Sequence, residues 1–224
     1  MQKEVSMMSG VIFDVDGTLL DTMQMWKHAG ERYLAMLGIE AEPRLGEILF
    51  PMSMTGGATY LKEKYHLSAN VLDIIKGIHE VIHDFYRYEA KLKPGVLEFL
   101  IMLREKKIKM SVATSSDREL IEASFRRLSL MEFFDGIYTC TEVGADKKEP
   151  TIYIKAQEVM NTKISETWVF EDALYAVQTA HNAGFRVAGV YDEVSHKDQE
   201  KLREVVDFYF YDLCDAGEVF HVLL

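Results

Sequence analysis

Short apolar runs alternate along this chain with longer amphipathic stretches, the βα rhythm of a parallel sheet. The runs predict strands at Val11–Asp14, Ile108–Ala113, Gly136–Thr139, Thr167–Phe170, Arg186–Val190 and Phe208–Phe210. Helices are legible between them. Ser116 or Asp117 is placed to cap one that ends near Leu128. Pro150 suits the first position of the next, and Gly184 suits the left-handed stop after residues 173–183.

One interval breaks the rhythm. From about Asp21 to Leu92 the pattern is helical throughout: Met23–Leu37 ending at Gly38, roughly Thr55–Tyr65, and Val71–Tyr88. In the last of these, Val71, Ile74, Ile75, Ile78, Val81, Ile82 and Phe85 recur at i+3 and i+4, which lines one face of a helix. "KLKPG" at 91–95 then reads as a return linker. The fold class is therefore α/β: a Rossmann-like, doubly wound parallel sheet built from 1–20 and 93–224, with a helical domain, 21–92, inserted after the first strand.

Composition narrows the partners. The net charge of −11 disfavours nucleic acid and anionic membranes, which call for clustered Lys and Arg. A small anionic substrate stays open, because a local cation can invert the field at one site. Two cysteines, Cys140 and Cys214, are too few for a disulfide framework and lack metal-site spacing. "MQKEVSMMSG" lacks the apolar segment of a signal peptide, and no apolar stretch reaches membrane-spanning length. The expectation is a soluble, cytoplasmic monomer.

The chemistry-bearing residues fall at the predicted carboxyl ends of the strands, where open parallel sheets bind ligands. "GVIFDVDGTLLDT" puts Asp14, Asp16 and Gly17 directly behind an apolar run. Thr114, Ser115 and Ser116 follow the second strand; Asp146, Lys147 and Lys148 lie beyond the third; Glu171 and Asp172 end the fourth. Asp14 and Asp16 repel one another unless something offsets their charge. With Glu171 and Asp172 they form an oxygen-rich set that suits a hard divalent cation, Mg²⁺ above all.

These four motifs in this order resemble the haloacid dehalogenase superfamily over essentially the whole chain, and the helical insertion resembles that superfamily's small cap. The resemblance implies a role for each residue. Asp14 would be the nucleophile, forming an aspartyl-phosphate. Asp16 would protonate the leaving oxygen and then deprotonate water. Gly17 permits the turn that aims both side chains. Thr114 and Lys147 would donate to phosphoryl oxygens, with Ser115 beside them at the phosphate. Lys148 is the alternative to Lys147, since this stretch, Asp146-Lys147-Lys148-Glu149-Pro150, departs from the family's Gly-Lys-Pro-x-Pro. Asp172 would hold Mg²⁺ directly and Glu171 through water. Asp16 itself points away from C–halogen cleavage, because dehalogenases generally lack that second acid. Ala173 and Ala176 stand where Ser and Gly are common, without removing a ligand.

The resemblance further implies a phosphatase of small phosphorylated metabolites, such as sugar phosphates, whose cap closes over the substrate. Specificity would lie in "FPMSMTGGATY" at 50–60, with Met52, Ser53 and Thr55, and in Trp26. Flexible methionines would give an adaptable apolar wall there, or simply cap core. A β-phosphoglucomutase-type activity is the alternative. That enzyme usually carries a His where Trp26 stands, and an Arg in the cap loop, whereas 50–60 holds neither Arg nor Lys and Arg44 is the nearest cation before it. "HEVIH" at 79–83 matches the zincin pattern with His79, Glu80 and His83, but no downstream ligand follows at the required spacing. A non-enzymatic binding module would be expected to have lost an Asp or the Lys, and none is lost.

Overall fold

The computed structural model describes residues 8–221; the leader reading of the first ten residues falls mostly outside them. In chain order the elements are β1 (Gly10–Phe13), α1 (Met23–Met36), α2 (Leu45–Leu49), α3 (Met54–Lys64), α4 (Val71–Tyr88) and α5 (Val96–Glu105). Next come β2 (Lys109–Thr114), α6 (Arg118–Arg127), β3 (Gly136–Thr139), α7 (Cys140–Val143), α8 (Thr151–Met160) and β4 (Thr167–Glu171). The chain ends with α9 (Leu174–Asn182), β5 (Arg186–Val190), α10 (Gln199–Val205), β6 (Phe208–Phe210) and α11 (Ala216–His221). It divides into two compact units, Met1–Asp21 with Lys91–Leu224, and Thr22–Ala90.

The first unit is built on a six-stranded sheet in the order β3-β2-β1-β4-β5-β6, every neighbouring pair parallel. All four residues of β1 are buried, as a central strand covered on both faces demands. Successive residues then serve opposite layers. Ile12 packs with Val169, Val187, Tyr153, Ala156 and Val177 on one face. Phe13 meets Phe170 at 5.1 Å and Phe99 at 6.2 Å on the other, where Phe220 closes the aromatic cluster. The order reverses between β1 and β4, which makes their carboxyl ends the topological switch point, the place where open parallel sheets bind ligands.

The second unit contains only helices. Along α4 the buried residues Ile74, Ile78 and Ile82 form the expected stripe. Gly77 belongs to the same stripe for a steric reason: a Cβ there would lie 2.3 Å from Cε2 of Tyr33 on α1. Ser53 and Asn70 cap α3 and α4, their side-chain oxygens accepting from Gly56 N and Asp73 N. Trp26 Nε1 donates to Tyr86 Oη at 2.9 Å. A cavity of about 170 Å³ is lined by Trp26, Leu49, Met52, Ser53, Met54 and Ile78, among others.

Some local expectations change. Asp117 sits at the start of α6 without a side-chain capping bond, and the Ser116 hydroxyl goes elsewhere. Pro150 precedes α8 by one residue, at a φ of −75° that suits it. His79 is exposed on α4, and no third metal-ligating side chain gathers around the His79–His83 pair among the described residues. Among those residues no helix is long and apolar enough to cross a membrane.

Candidate active site

The loop after β1 holds the first two acids in place. Thr18, Leu19 and Leu20 all donate their N–H to the Val15 carbonyl, and Gly17 N–H donates to Leu20 O. The turn needs Gly17 at a φ of 91°, in the left-handed region that a side chain resists. Asp14 is thereby buried at the switch point, beside Glu171 and Asp172 from the end of β4. One carboxylate oxygen from each of Asp14, Glu171 and Asp172 lies within 4.8 Å of the others. Asp16, expected to join them, is not in this group. Its Oδ2 instead accepts from Ser116 Oγ at 2.6 Å.

Lys147 settles against the same cluster. Its ammonium, 3% exposed, donates to Asp14 Oδ1 and to Glu171 Oε1, the latter at 2.6 Å. Lys148 is exposed, and its backbone N–H is taken by Asp146 Oδ1 at 2.8 Å. Of the two lysines it is Lys147 that reaches the acids. Glu171 is held on both oxygens: Tyr153 Oη also donates to Oε1 at 3.3 Å, while the N–H groups of Asp172 and Ala173 donate to Oε2. Asp172 Oδ2 accepts from Ser195 Oγ at 2.9 Å.

Thr114 is buried at the end of β2, its hydroxyl oxygen accepting from Ser116 N–H at 3.1 Å. Ser115 is exposed, with its Oγ 3.6 Å from Cys140 Sγ. Trp26, Met52, Ser53 and Thr55 belong to the helical unit; the first three line its cavity. Ser116, singled out with Thr114 and Ser115 after the second strand, is the hydroxyl that meets Asp16, whereas Tyr153 and Ser195 are contributors that motif reading passed over. Tyr153 alone carried a sequence signal, as the last residue of "EPTIY", five positions after the Lys pair.

The electrostatics explain why this cluster is unusual. Burial pushes the Asp14 carboxyl up to about 7; the Lys147 ammonium opposes this, while Glu171 and Asp16 add to it. Burial also pushes Asp172 well above the usual carboxylate range, with Glu171 and Asp14 adding and the Ser195 hydroxyl opposing. Burial works against the charge on Lys147, but Asp14 and Glu171 outweigh it and hold the ammonium protonated. One lysine thus faces three buried carboxylates. Among the described residues three buried side-chain polar atoms lack a hydrogen-bond partner, and two of them, Asp14 Oδ2 and Thr18 Oγ1, belong to the loop after β1. An all-oxygen donor set, an excess of negative charge and an unpartnered carboxylate oxygen suit a hard divalent cation.

The family model for haloacid dehalogenase-like hydrolases matches residues 11–190. The chain is 32% identical over 185 residues to a phosphorylated carbohydrates phosphatase of Thermotoga maritima, covering 82% of this chain and 85% of that protein. It is 27% identical over 201 residues to the β-phosphoglucomutase of Bacillus subtilis, covering 82% and 83%. Among solved structures, a T. maritima protein described as a "putative beta-phosphoglucomutase" superposes with a TM-score of 0.84 at 26% identity, covering 97% of this chain and all of that one. CbbY of Rhodobacter sphaeroides, crystallised with phosphate, shares the fold at a TM-score of 0.73 and 22% identity, covering 94% of this chain and 99% of that one.

Proposed function

This chain belongs to the haloacid dehalogenase-like hydrolase family, and on that premise we propose that it is a Mg²⁺-dependent phosphatase of a small phosphorylated metabolite, a sugar phosphate or similar. The observation that carries the reading is the Asp14 carboxylate. One oxygen is tied to Lys147, and the other is buried without a partner. That free oxygen is the atom available to attack phosphorus.

In the first half-reaction Asp14 Oδ2 forms a bond to phosphorus as the bond from phosphorus to the leaving oxygen breaks. Asp16 delivers a proton to that oxygen, its carboxyl steadied by Ser116 Oγ. In the second half-reaction Asp16 takes a proton from water. The resulting hydroxide attacks phosphorus, and the bond to Asp14 breaks, returning both residues to their starting states. The Lys147 ammonium holds the Asp14 carboxylate in position and offers positive charge to the phosphoryl oxygens, with Thr114, Ser115 and the turn at Gly17 as their other neighbours. Asp14 and Asp172 would hold Mg²⁺, with Glu171 as their buried neighbour. The ion, when bound, supplies Lewis-acid stabilisation of charge on the phosphoryl group.

We assign choice of the leaving group to the helical unit acting as a cap, with Trp26, Met52, Ser53 and Thr55 as its contact residues. The T. maritima relative, a phosphatase of phosphorylated carbohydrates by name, supports the substrate class. The B. subtilis mutase keeps phosphosugar mutase chemistry as the second reading. The absence of Arg and Lys from 50–60 weighs against it, since a second bound phosphate needs a cationic partner.

The test is phosphate release from a panel of phosphorylated metabolites, hexose 1- and 6-phosphates and nucleotides included, in Mg²⁺ and in EDTA, with Asp14→Asn as the control. Release that needs Mg²⁺ and Asp14 is expected. Conversion of a hexose 1-phosphate to the 6-phosphate on adding a sugar bisphosphate, without phosphate release, would instead establish the mutase.

A further inference from the structure

Lys93 lies just after the chain returns from the helical unit, in a stretch whose sequence reads only as a linker. Its side chain is 11% exposed, and its ammonium donates to three acceptors: Gly17 O at 2.7 Å, Tyr191 O at 2.6 Å and Asp192 Oδ2 at 3.2 Å. An ammonium has three N–H bonds, so this one is fully used. Burying a lysine is costly, and a Met or Leu could fill the same space. What the ammonium adds is a tie between two loops at the carboxyl ends of β1 and β5.

Each loop leads to a member of the acidic cluster. Gly17 closes the turn that presents Asp14 and Asp16. On the other side, Asp192 is buried; its Oδ1 accepts from Val194 N at 2.9 Å, fixing the next turn of chain. One residue on, Ser195 Oγ donates to Asp172 Oδ2 at 2.9 Å. The far end of this loop is pinned as well, with Gln199 Nε2 donating to Ser195 O at 3.4 Å and Tyr209 Oη donating to Gln199 Oε1 at 2.7 Å. The bond from Ser195 occupies one oxygen of Asp172 and fixes the direction in which the other points.

We infer that Lys93 and Ser195 are positioning residues for the divalent cation: Lys93 locks the 191–195 loop to the nucleophile's turn, and Ser195 uses that loop to aim the Asp172 carboxylate. The inference rests on reading the acidic cluster as a cation site. A purely structural role is the competing explanation. The sheet has separate means of holding β5 and β6, however: their parallel pairing, and the bond from Val187 N to Asp207 Oδ2 at 2.9 Å. Outer-sphere partners of metal-ligating carboxylates typically change metal affinity by about 10- to 100-fold when removed.

The experiment is a Mn²⁺ titration of the full chain followed by electron paramagnetic resonance, with thermal melting in EDTA alongside. The proteins are wild type, Asp172→Asn, Ser195→Ala, Lys93→Met and the Lys93→Met/Ser195→Ala double variant. Ser195→Ala is expected to weaken Mn²⁺ by about tenfold with its EDTA melting point little changed. Lys93→Met is expected to weaken it similarly, and the double variant no further than the worse single one, because both act through the same loop. Wild-type Mn²⁺ affinity in Ser195→Ala, or losses that multiply in the double variant, would overturn the inference while leaving the cation site intact. A wild-type protein that binds no Mn²⁺, or binds it equally well as Asp172→Asn, would overturn the site and the inference together. Should Lys93→Met not fold, Asp192→Asn takes its place, since it weakens the Lys93 contact and keeps an acceptor for Val194 N.

Discussion

The two units of this protein divide their buried chemistry unequally. Of the fourteen buried polar and charged residues among those described, thirteen belong to the sheet unit and only Thr22 to the helical one. The sheet unit gathers Asp14, Glu171, Asp172, Asp192 and Lys147 at strand ends, where burial raises the cost of every unpaired charge. The helical unit offers an apolar cavity, a methionine-bearing wall and a glycine set under a tyrosine ring. The difference teaches that here charge is concentrated where a sheet can fix it rigidly, while shape is left to helices that can vary without disturbing it. Substitutions in the two units should therefore fail in different ways.

The largest effect is expected from Lys147→Met. It leaves Asp14 and Glu171 buried without their ammonium, a loss on the order of 3–5 kcal/mol in folding stability, read by chemical denaturation. Phosphate release should fall with it. Retention of both would show that the acidic cluster does not depend on this lysine.

The second effect is a linkage between pH and cation. The Asp14 carboxyl is raised from 3.8 to about 7, and Asp172 moves the same way. An acid whose folded pKa is raised contributes stability that is fully present below its unfolded value, and that is lost as pH rises through the folded one. Melting in EDTA should therefore fall between about pH 4 and 7, the interval set by Asp14. Mg²⁺ favours the ionised carboxylates, so the melting increase it produces should grow across the same interval. A Mg²⁺-induced increase that stays flat with pH would separate the cation from these carboxylates.

Gly77→Ala tests the other unit. The new methyl would meet the Tyr33 ring, with its nearest carbon at 2.3 Å. Overpacking of this kind costs about 1–3 kcal/mol, against a gain of about 1 kcal/mol in helix propensity. The net expectation is a modest drop in denaturation midpoint with Mn²⁺ affinity unchanged. Smallest of all, Trp26→Ala should alter kcat/KM by about tenfold for some substrates and not others, leaving the Mg²⁺ dependence as it was. A uniform loss across the whole panel would move Trp26 from recognition to stability.

The legible parts were those written locally. β3, β5, β6 and α4 have their expected bounds, and the other strands lie within a residue, because short apolar runs mark strands buried on both faces and an i+3/i+4 stripe marks the helix. The acids at the ends of β1 and β4 were legible for the same reason, since a parallel sheet delivers strand ends to one edge. α2 was missed: it is preceded by Arg44 at its N-cap in a left-handed conformation, φ 64°, which no sequence rule assigns to arginine. α5 was hidden behind the linker reading of 91–95. The contacts of Lys93 and Ser195 join residues far apart in the chain, and nothing in their neighbours marks them; Ser116 was legible as a hydroxyl at a strand end, but its bond to Asp16, a hundred residues away, was not. Asp117 looked like a cap because Asp commonly is one, yet its side chain makes no capping bond and instead accepts from Thr141 Oγ1 at 3.5 Å.

The place of β1 in the sheet has a consequence for how the chain comes off the ribosome. Among the described residues Gly10–Phe13 is the first strand in chain order, yet one of its two hydrogen-bonding edges is completed only by Thr167–Glu171. Until then an apolar strand edge stands open, the kind of surface that pairs with strangers. The acids that flank it are likewise apart, so a nascent chain that has not yet reached Glu171 holds Asp14 without its acidic neighbours. Such non-local pairing is slow to form. Newly made protein should thus assemble its acidic cluster late and in one step with the closing of the sheet.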